Sequence, residues 1–360
     1  MTRTDGSGDP SSSLSPTLFS PPRSSLLYRY TQSQVQFNAY VQAETLLNNY
    51  AHILDLLTRL RQAIDHPYLV LHSKRGEEAA ADGAGIAGGA QYGDGGAICG
   101  LCFEDAEAPV TARCGHVFCR ECVSSYLETI AADAACLCPT CRATLSVDLG
   151  GSSGGGESSA ATGRGGGGGG YSRKGILSRI ELSKFQSSTK IEALMEALHE
   201  MKQEDPAAKA IVFSQFVSML ELLEYRLQRA GTKAVKLSGG MGVAQRDAVL
   251  TAFKEDPSVS VILISLKAGG VALNLTVASH IFLMDPWWNP AAEYQAIDRA
   301  HRIGQHKPIK AVRFIIRNTV EERILRLQDK KRLVFEGTVG GDAASLAQLS
   351  EDDLRFLFQN

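Results

Sequence analysis

Apolar residues recur three and four positions apart at Leu46, Leu47, Tyr50, Ile53, Leu54, Leu57 and Leu60. That spacing predicts one long amphipathic helix, ending near Asp65 just before His66 and Pro67. Its apolar stripe is a packing surface and carries no chemistry of its own. From Tyr171 onward the pattern changes to short apolar runs alternating with helical spacing. Helix is expected at 188–203, strand at KAIVFS, helix at VSMLELLEYRLQRA, strand at KAVKL and helix near 243–254. Strand VSVILIS, a Gly-containing turn, strand HIFLMD, a helix bearing Arg299 and Arg302, strand KAVRFII and a last helix near 320–335 follow. Strands alternating with helices predict an α/β domain with a parallel sheet flanked by helices, whose ligands sit at the strand ends.

Composition divides the rest of the chain. Residues 1–25 are rich in Ser, Pro and Gly and read as a disordered tail, and 26–75 as a helical segment. Gly- and Ala-rich tracts at 76–96 and 147–172 read as flexible linkers around a small module at 97–146. The α/β lobe occupies 173–335 and a tail 336–360. At 360 residues, 44% hydrophobic, the chain has enough apolar surface for two domains. No apolar run approaches the roughly 18 residues of a membrane span, and the N-terminus lacks a signal-peptide pattern. A soluble, intracellular chain without a membrane partner is expected. The formal net charge of -2 hides an uneven distribution. Residues 171–335 carry 25 basic against 17 acidic side chains, whereas 99–148 carry 3 against 7. The lobe is the part equipped for anions.

All eight cysteines lie between Cys99 and Cys141, which in a chain without a secretion signal points to metal and away from disulfides. The order is Cys99, Cys102, Cys114, His116, Cys119, Cys122, Cys138 and Cys141, with three Cys-x2-Cys pairs. Zinc takes thiolate and imidazole in fours, so eight ligands make two closed structural sites with no position left for water or substrate. Cys136 is the spare thiol.

This spacing resembles a RING finger. The resemblance implies an interleaved pairing, with Cys99, Cys102, Cys119 and Cys122 on one Zn²⁺ and Cys114, His116, Cys138 and Cys141 on the other. It also implies ubiquitin ligation, with Leu101 and Pro139 docking a ubiquitin-conjugating enzyme and Arg142 bridging that partner and ubiquitin. A RING used only for protein docking is the alternative.

In YQAIDRAHRIGQ, Arg299 and Arg302 are three apart, so on a helix both guanidinium forks face one side, a geometry suited to phosphate. A solvated face with a local Asp298–Arg302 pair is the other reading of that stretch. IVFSQF, KLSGG followed by Arg246, SLKAGGVALNLT and MDPWWNPAAEYQAIDRAHRIGQ together resemble the second RecA-like lobe of SWI/SNF-type, helicase-like ATPases. With LRQAIDHPYLVL, FQSSTKIEAL and LSEDDLRFLFQN, the chain looks most like the RING-containing ATPases of global-genome nucleotide excision repair. Post-replication repair ligases of similar architecture are a neighbouring possibility.

The resemblance implies arginine fingers at Arg299 and Arg302, acting on the ATP γ-phosphate. Gln295 and Gln305 would steady that motif. Ser265, Lys267, Gly269, Gly270 and Asn274 would approach nucleotide or DNA phosphate, and Trp288 would reach the DNA. Such a motor also needs a phosphate loop and an acidic metal box in a first lobe, and neither motif occurs in this chain. ATP and Mg²⁺ are therefore expected only together with a first RecA-like lobe. The expected function is the C-terminal half of an ATP-dependent DNA translocase with RING ubiquitin-ligase activity, acting in repair on chromatin in the nucleus. A non-motor RING ligase or adaptor, its lobe a DNA- or protein-binding platform, is the competing class.

Overall fold

The structure, a computed structural model, describes residues 14–19, 25–43, 45–46, 49–73, 97–130, 136–149, 175–266, 275–289, 291–298, 307–337 and 349–358. Its centre is a parallel sheet built from β4 (Ala210–Ser214), β5 (Lys233–Leu237), β6 (Val259–Ser265), β7 (His280–Leu283) and β8 (Lys310–Ile316). β1 (Leu14–Phe19) adds at one edge, giving the order β1-β8-β7-β4-β6-β5. In β4, Ala210 and Val212 join a core with α4 (Thr189–Glu204) and α5 (Val217–Arg229), while Ile211 and Phe213 face a second core with α6 (Val243–Glu255) and α7 (Ala291–Asp298). All seven residues of β6 are buried for the same reason: a parallel sheet covered on both faces needs continuous apolar strands.

A third core joins the remaining parts. α1 (Ser25–Gln42), α2 (Tyr50–Asp65), α8 (Val320–Gly337) and α9 (Glu351–Phe358) pack together with the cysteine module, which contributes β2 (Pro109–Thr111), β3 (Val117–Cys119) and α3 (Arg120–Thr129). Ile53, Leu57 and Leu60 on α2 are almost fully buried there, at about 1.5–3 kcal/mol each. Tyr50 ties three segments at once, donating its hydroxyl to the Thr129 carbonyl at 2.6 Å and lying 3.4 Å from the Leu349 carbonyl.

Three expectations need correction. The single long helix before Asp65 is two helices, α1 and α2. At the end of α1 the Thr45 amide donates to the Tyr40 carbonyl at 3.0 Å, five residues back, the bond that closes a helix C-terminus and ends the i→i−4 ladder before α2 begins. Leu14–Phe19, read as part of a disordered tail, forms a parallel edge strand in register with Ala311–Ile316. Main-chain pairing on an open sheet edge supplies what the side-chain composition does not. The C-terminal tail contains α9, whose Leu354, Leu357 and Phe358 are buried. Phe358 stacks on Phe37 with ring centroids 4.3 Å apart.

Buried ions lock the helical layer to the lobe. Lys190 Nζ, fully enclosed, donates to Asp65 at 2.7 Å, to the Met284 carbonyl at 2.6 Å and to Glu321. Burial works to lower its pKa, but the paired carboxylates outweigh it and the net direction is upward. One cation thus fastens α2, α4, α8 and the end of β7, although the cysteine module separates α2 from α4 in sequence. Removing one partner of such a group leaves charge buried and unpaired, at a cost of about 3–5 kcal/mol.

His66 caps the end of α2. Its Nδ1 accepts from the Tyr68 amide at 3.1 Å, which leaves Nε2 as the protonated nitrogen donating to the Gln186 carbonyl at 3.0 Å. Burial pushes its pKa down to about 4, with the Gln186 hydrogen bond opposing the shift. The folded value lies below the ~6.5 of an unfolded histidine, so the unfolded chain takes up the proton first. The stability this site contributes is complete above about pH 6.5 and is lost as the pH falls toward about 4, an effect of roughly 3 kcal/mol. His66→Gln should remove that dependence. The check is the difference in unfolding free energy between the two proteins across this range, in which acid loss of metal cancels. Parallel pH profiles would show that His66 is not the titrating group.

Candidate functional site

The strands of the lobe end in a cluster of polar groups. Asp285, one residue beyond Met284, is its hub: Ser214 donates its hydroxyl at 2.6 Å, the Gln215 amide at 3.0 Å, and Arg61 Nη2 approaches to 3.4 Å. Arg61 also donates to the Gln215 side chain at 2.6 Å and the Pro286 carbonyl at 2.8 Å. Its guanidinium lies 4.6 Å from the Trp287 ring centre, and the Trp287 and Trp288 rings stack at 3.5 Å. Glu293, on the first turn of α7, accepts from the Trp287 amide at 3.0 Å and pairs with Arg313 and Gln328. The segment DPWW is thus held rigidly between α2, β4, α7 and α8, at the place where an open parallel sheet binds its ligands.

The residues expected in this region fall into two groups. Ser265 ends β6 and is fully buried, its hydroxyl donating to Glu107 at 3.1 Å. Trp288 is 3% exposed and its indole N–H finds no partner among the described residues, so in this arrangement the ring offers almost no surface to DNA. Gln295 lies on α7, and its side chain is outside the described set. Lys267, Gly269, Gly270, Asn274, Arg299, Arg302 and Gln305 lie outside the described residues. The structure therefore supplies the frame that leads into the arginine pair: α7 is helical to Asp298, immediately before Arg299.

The cysteine module brings its ligands into two groups. Cys99, Cys102, Cys119 and Cys122 form one, Cys114, His116, Cys138 and Cys141 the other, with the ligand atoms of each set within 4.8 Å of one another. Cys102 and Cys119 sulfurs are 3.8 Å apart, matching the ~3.8 Å edge of a tetrahedron with Zn–S bonds of about 2.3 Å. The imidazole presents Nδ1 to Cys114 and Cys138, at 3.5 and 3.7 Å. Backbone amides of Leu101, Glu107 and Cys119 point at the Cys99 and Cys119 sulfurs. The donor set fits zinc.

Two knuckles of the module share one construction. In each, the residue after the second cysteine of the pair, Phe103 or Arg142, has a positive φ near +60° and donates its amide to the carbonyl of the first. The bridges Ile98–Asp105 and Leu137–Thr144 close the two turns. Arg142 leaves this turn exposed to solvent, while Leu101 and Pro139 are half-buried.

A model of the helicase conserved C-terminal domain matches residues 189–304, and one of the C3HC4-type zinc finger, or RING finger, matches residues 99–141. The chain joins a helicase C-terminal domain of the SWI/SNF type to a RING finger. "ATP-dependent helicase rhp16" of Schizosaccharomyces pombe is 43% identical over 331 residues, covering 92% of this chain and 36% of that protein. "DNA repair protein RAD5B" of Arabidopsis thaliana is 36% identical, covering 92% and 26%. "Helicase-like transcription factor" of Homo sapiens is 31% identical, covering 91% and 32%. The chain spans about a third of the length of these curated relatives. Among solved structures, the C-terminal part of the Fun30 ATPase domain covers 50% of this chain and 55% of its own at 28% identity and a TM-score of 0.42. The Sulfolobus solfataricus SWI2/SNF2 ATPase core in complex with dsDNA covers 49% and 37%, at 31% and 0.40.

Several residues that organise the RING and helicase lobe escaped the sequence reading. Arg61, Lys190, Asp285 and Glu293 are isolated charges in sequence, and only the fold brings them together. Glu104 and Glu107 read as ordinary acidic residues of the RING, yet Glu107 reaches Ser265 and the Gly239 amide of the helicase lobe. The one available signal was their position inside the closely spaced ligand run, where few residues stay solvent-exposed.

Proposed function

We propose that this chain is the DNA-tracking half of an ATP-dependent translocase of the SWI/SNF type, with a RING that transfers ubiquitin, acting in DNA repair on nuclear chromatin. Nucleotide excision repair is the pathway this reading favours. The observation that carries it is the helicase C-terminal match over a lobe whose strand ends hold the DPWW segment and lead through α7 toward Arg299 and Arg302. A first RecA-like lobe supplies the phosphate loop and the carboxylates for Mg²⁺. This lobe then supplies the two guanidinium groups that meet the charge developing on the γ-phosphate, and Ser265, Lys267, Gly269, Gly270 and Asn274 meet phosphate from nucleotide or duplex.

In the RING, Cys99, Cys102, Cys119 and Cys122 hold one zinc, and Cys114, His116, Cys138 and Cys141 the other. The metal fixes the shape of the module, and the transfer chemistry belongs to the conjugating enzyme, which Leu101 and Pro139 dock. Arg142, exposed on its turn, contacts the bound enzyme and its ubiquitin. Arg142→Ala should keep the full zinc content and slow ubiquitin discharge from a charged conjugating enzyme by roughly tenfold, the value of one charge-assisted contact. Discharge at the wild-type rate would leave Arg142 an ordinary surface residue and remove this part of the reading.

A further inference from the structure

Two carboxylates of the RING end on main-chain donors of the helicase lobe. Glu104 accepts from the Val217 amide at 2.9 Å and the Ser218 amide at 2.8 Å, so it caps the first turn of α5 from another module. The helix needs that cap: its own N-cap residue is Phe216, which offers no side-chain acceptor. Three residues further on, Glu107 accepts from the Gly239 amide at 2.6 Å and the Ser265 hydroxyl at 3.1 Å. Both glutamates are 7% exposed. Gly239 permits the approach, since a Cβ there would lie 3.1 Å from the Glu107 side chain.

These donors have a common location and a common chemistry. Val217 and Ser218 follow β4, Gly239 follows β5 and Ser265 ends β6, so three amides and a hydroxyl gather at the carboxyl edge of three adjacent strands. Convergent amides at a helix start and in a Gly turn are the donors that hold an oxyanion, and a carboxylate and a phosphodiester oxygen are alternative occupants of them. We infer that Glu104 and Glu107 dock the RING on the lobe by filling these oxyanion donors, so that the RING and the phosphodiester backbone of a duplex compete for one face. The inference rests on the reading of the lobe as DNA-binding and adds the RING as its built-in competitor. The docked chain is the weak DNA binder, and lifting the RING exposes the face. Arg142 stays exposed while the RING is docked, so docking covers the oxyanion donors without covering that residue.

The test uses the zinc-loaded full chain carrying Glu104→Gln with Glu107→Gln, compared with wild type and with Glu121→Gln plus Glu128→Gln. The second pair makes the same change of charge at exposed positions of the RING. Zinc content monitors folding of the module, because the backbone amide and carbonyl contacts of Glu104 and Glu107 are untouched by the substitutions. Amide exchange at Val217, Ser218 and Gly239 should be slow in wild type and in the control pair, and faster by at least about tenfold in the docking variant. Affinity for a short duplex oligonucleotide at fixed salt should rise in the docking variant by at least about fivefold over the control pair. Equal exchange in all three proteins overturns the docking. Faster exchange with equal affinity gains in the two variants overturns the competition and leaves DNA binding by the lobe standing. Absence of duplex binding in every protein, with the exchange change present, removes the DNA reading itself and the competition with it.

Discussion

Chelation of the metal is expected to unfold the described parts of the cysteine module, residues 97–130 and 136–149, and to leave the central sheet intact. The RING is too small to enclose a core of its own: its buried Val123, Phe118 and Tyr126 pack around cysteine sulfurs and against α2, and its strands β2 and β3 pair over only three residues each. Structural zinc contributes about 10–16 kcal/mol of apparent folding free energy in comparable small modules, far more than those few contacts. The lobe has two cores on either face of its sheet that contain no cysteine. Metal analysis of reduced protein should find two zinc ions per chain, one for each ligand set. Cys114→Ser or His116→Ala should lose the ion of the second set and the order of that half of the module. Loss of structure should also free the amides that Glu104 and Glu107 cover. One zinc or none in reduced wild-type protein, or a module that stays folded after chelation, would contradict the assignment.

The parts of this protein that local pattern could reveal were those whose cause is local. Alternation of apolar runs with helical spacing placed β4 to β8 and α4 to α6 within a residue or two, because strands buried on both faces, such as β4 and β6, read as mostly apolar runs. The ligand spacing of the RING was legible for a similar reason: a Cys-x2-Cys knuckle is a self-contained turn. What was hidden depends on contacts distant in sequence. Lys190 looks like any lysine in the first turn of a helix until Asp65 and Glu321, 125 and 131 residues away, close around it. Glu104 caps a helix 113 residues further along, so no capping signal stands next to α5 itself. The break between α1 and α2 turned on a closing hydrogen bond from the Thr45 amide to the Tyr40 carbonyl that an apolar stripe continuing through Leu46 conceals. The C-terminal helix carries three acidic residues in its first turn and a short apolar side whose partner, Phe37, lies near the other end of the chain.

The same division applies to the candidate site. Ser265 and Trp288 stand out by motif position, but their burial does not, because it is the RING and the α2 layer that cover them. Arg299 and Arg302 follow α7, whose first turn is fixed by Glu293 to the Trp287 amide and to Arg313. That bracing fixes the start of α7, and the proposed finger role of the two arginines depends on such positioning, since a catalytic group misplaced by an ångström can lose about 10²-fold in rate.

The most direct measurement of the account is steady-state ATP turnover at saturating duplex DNA, in this chain joined to its first lobe, for wild type and for Arg299→Ala and Arg302→Ala. A guanidinium at the γ-phosphate accounts for about 10³ or more in rate, so each single substitution should reduce turnover on that scale with an unchanged melting temperature and zinc content. Lysine should rescue poorly, since it carries the charge without the planar fork that makes a bidentate contact. If Arg302 instead formed only a surface pair with Asp298, its loss would alter stability by ~0–1 kcal/mol and turnover hardly at all. Turnover reduced about a thousandfold in both variants, with melting unchanged, is the predicted result. Near-normal turnover in both would contradict the account.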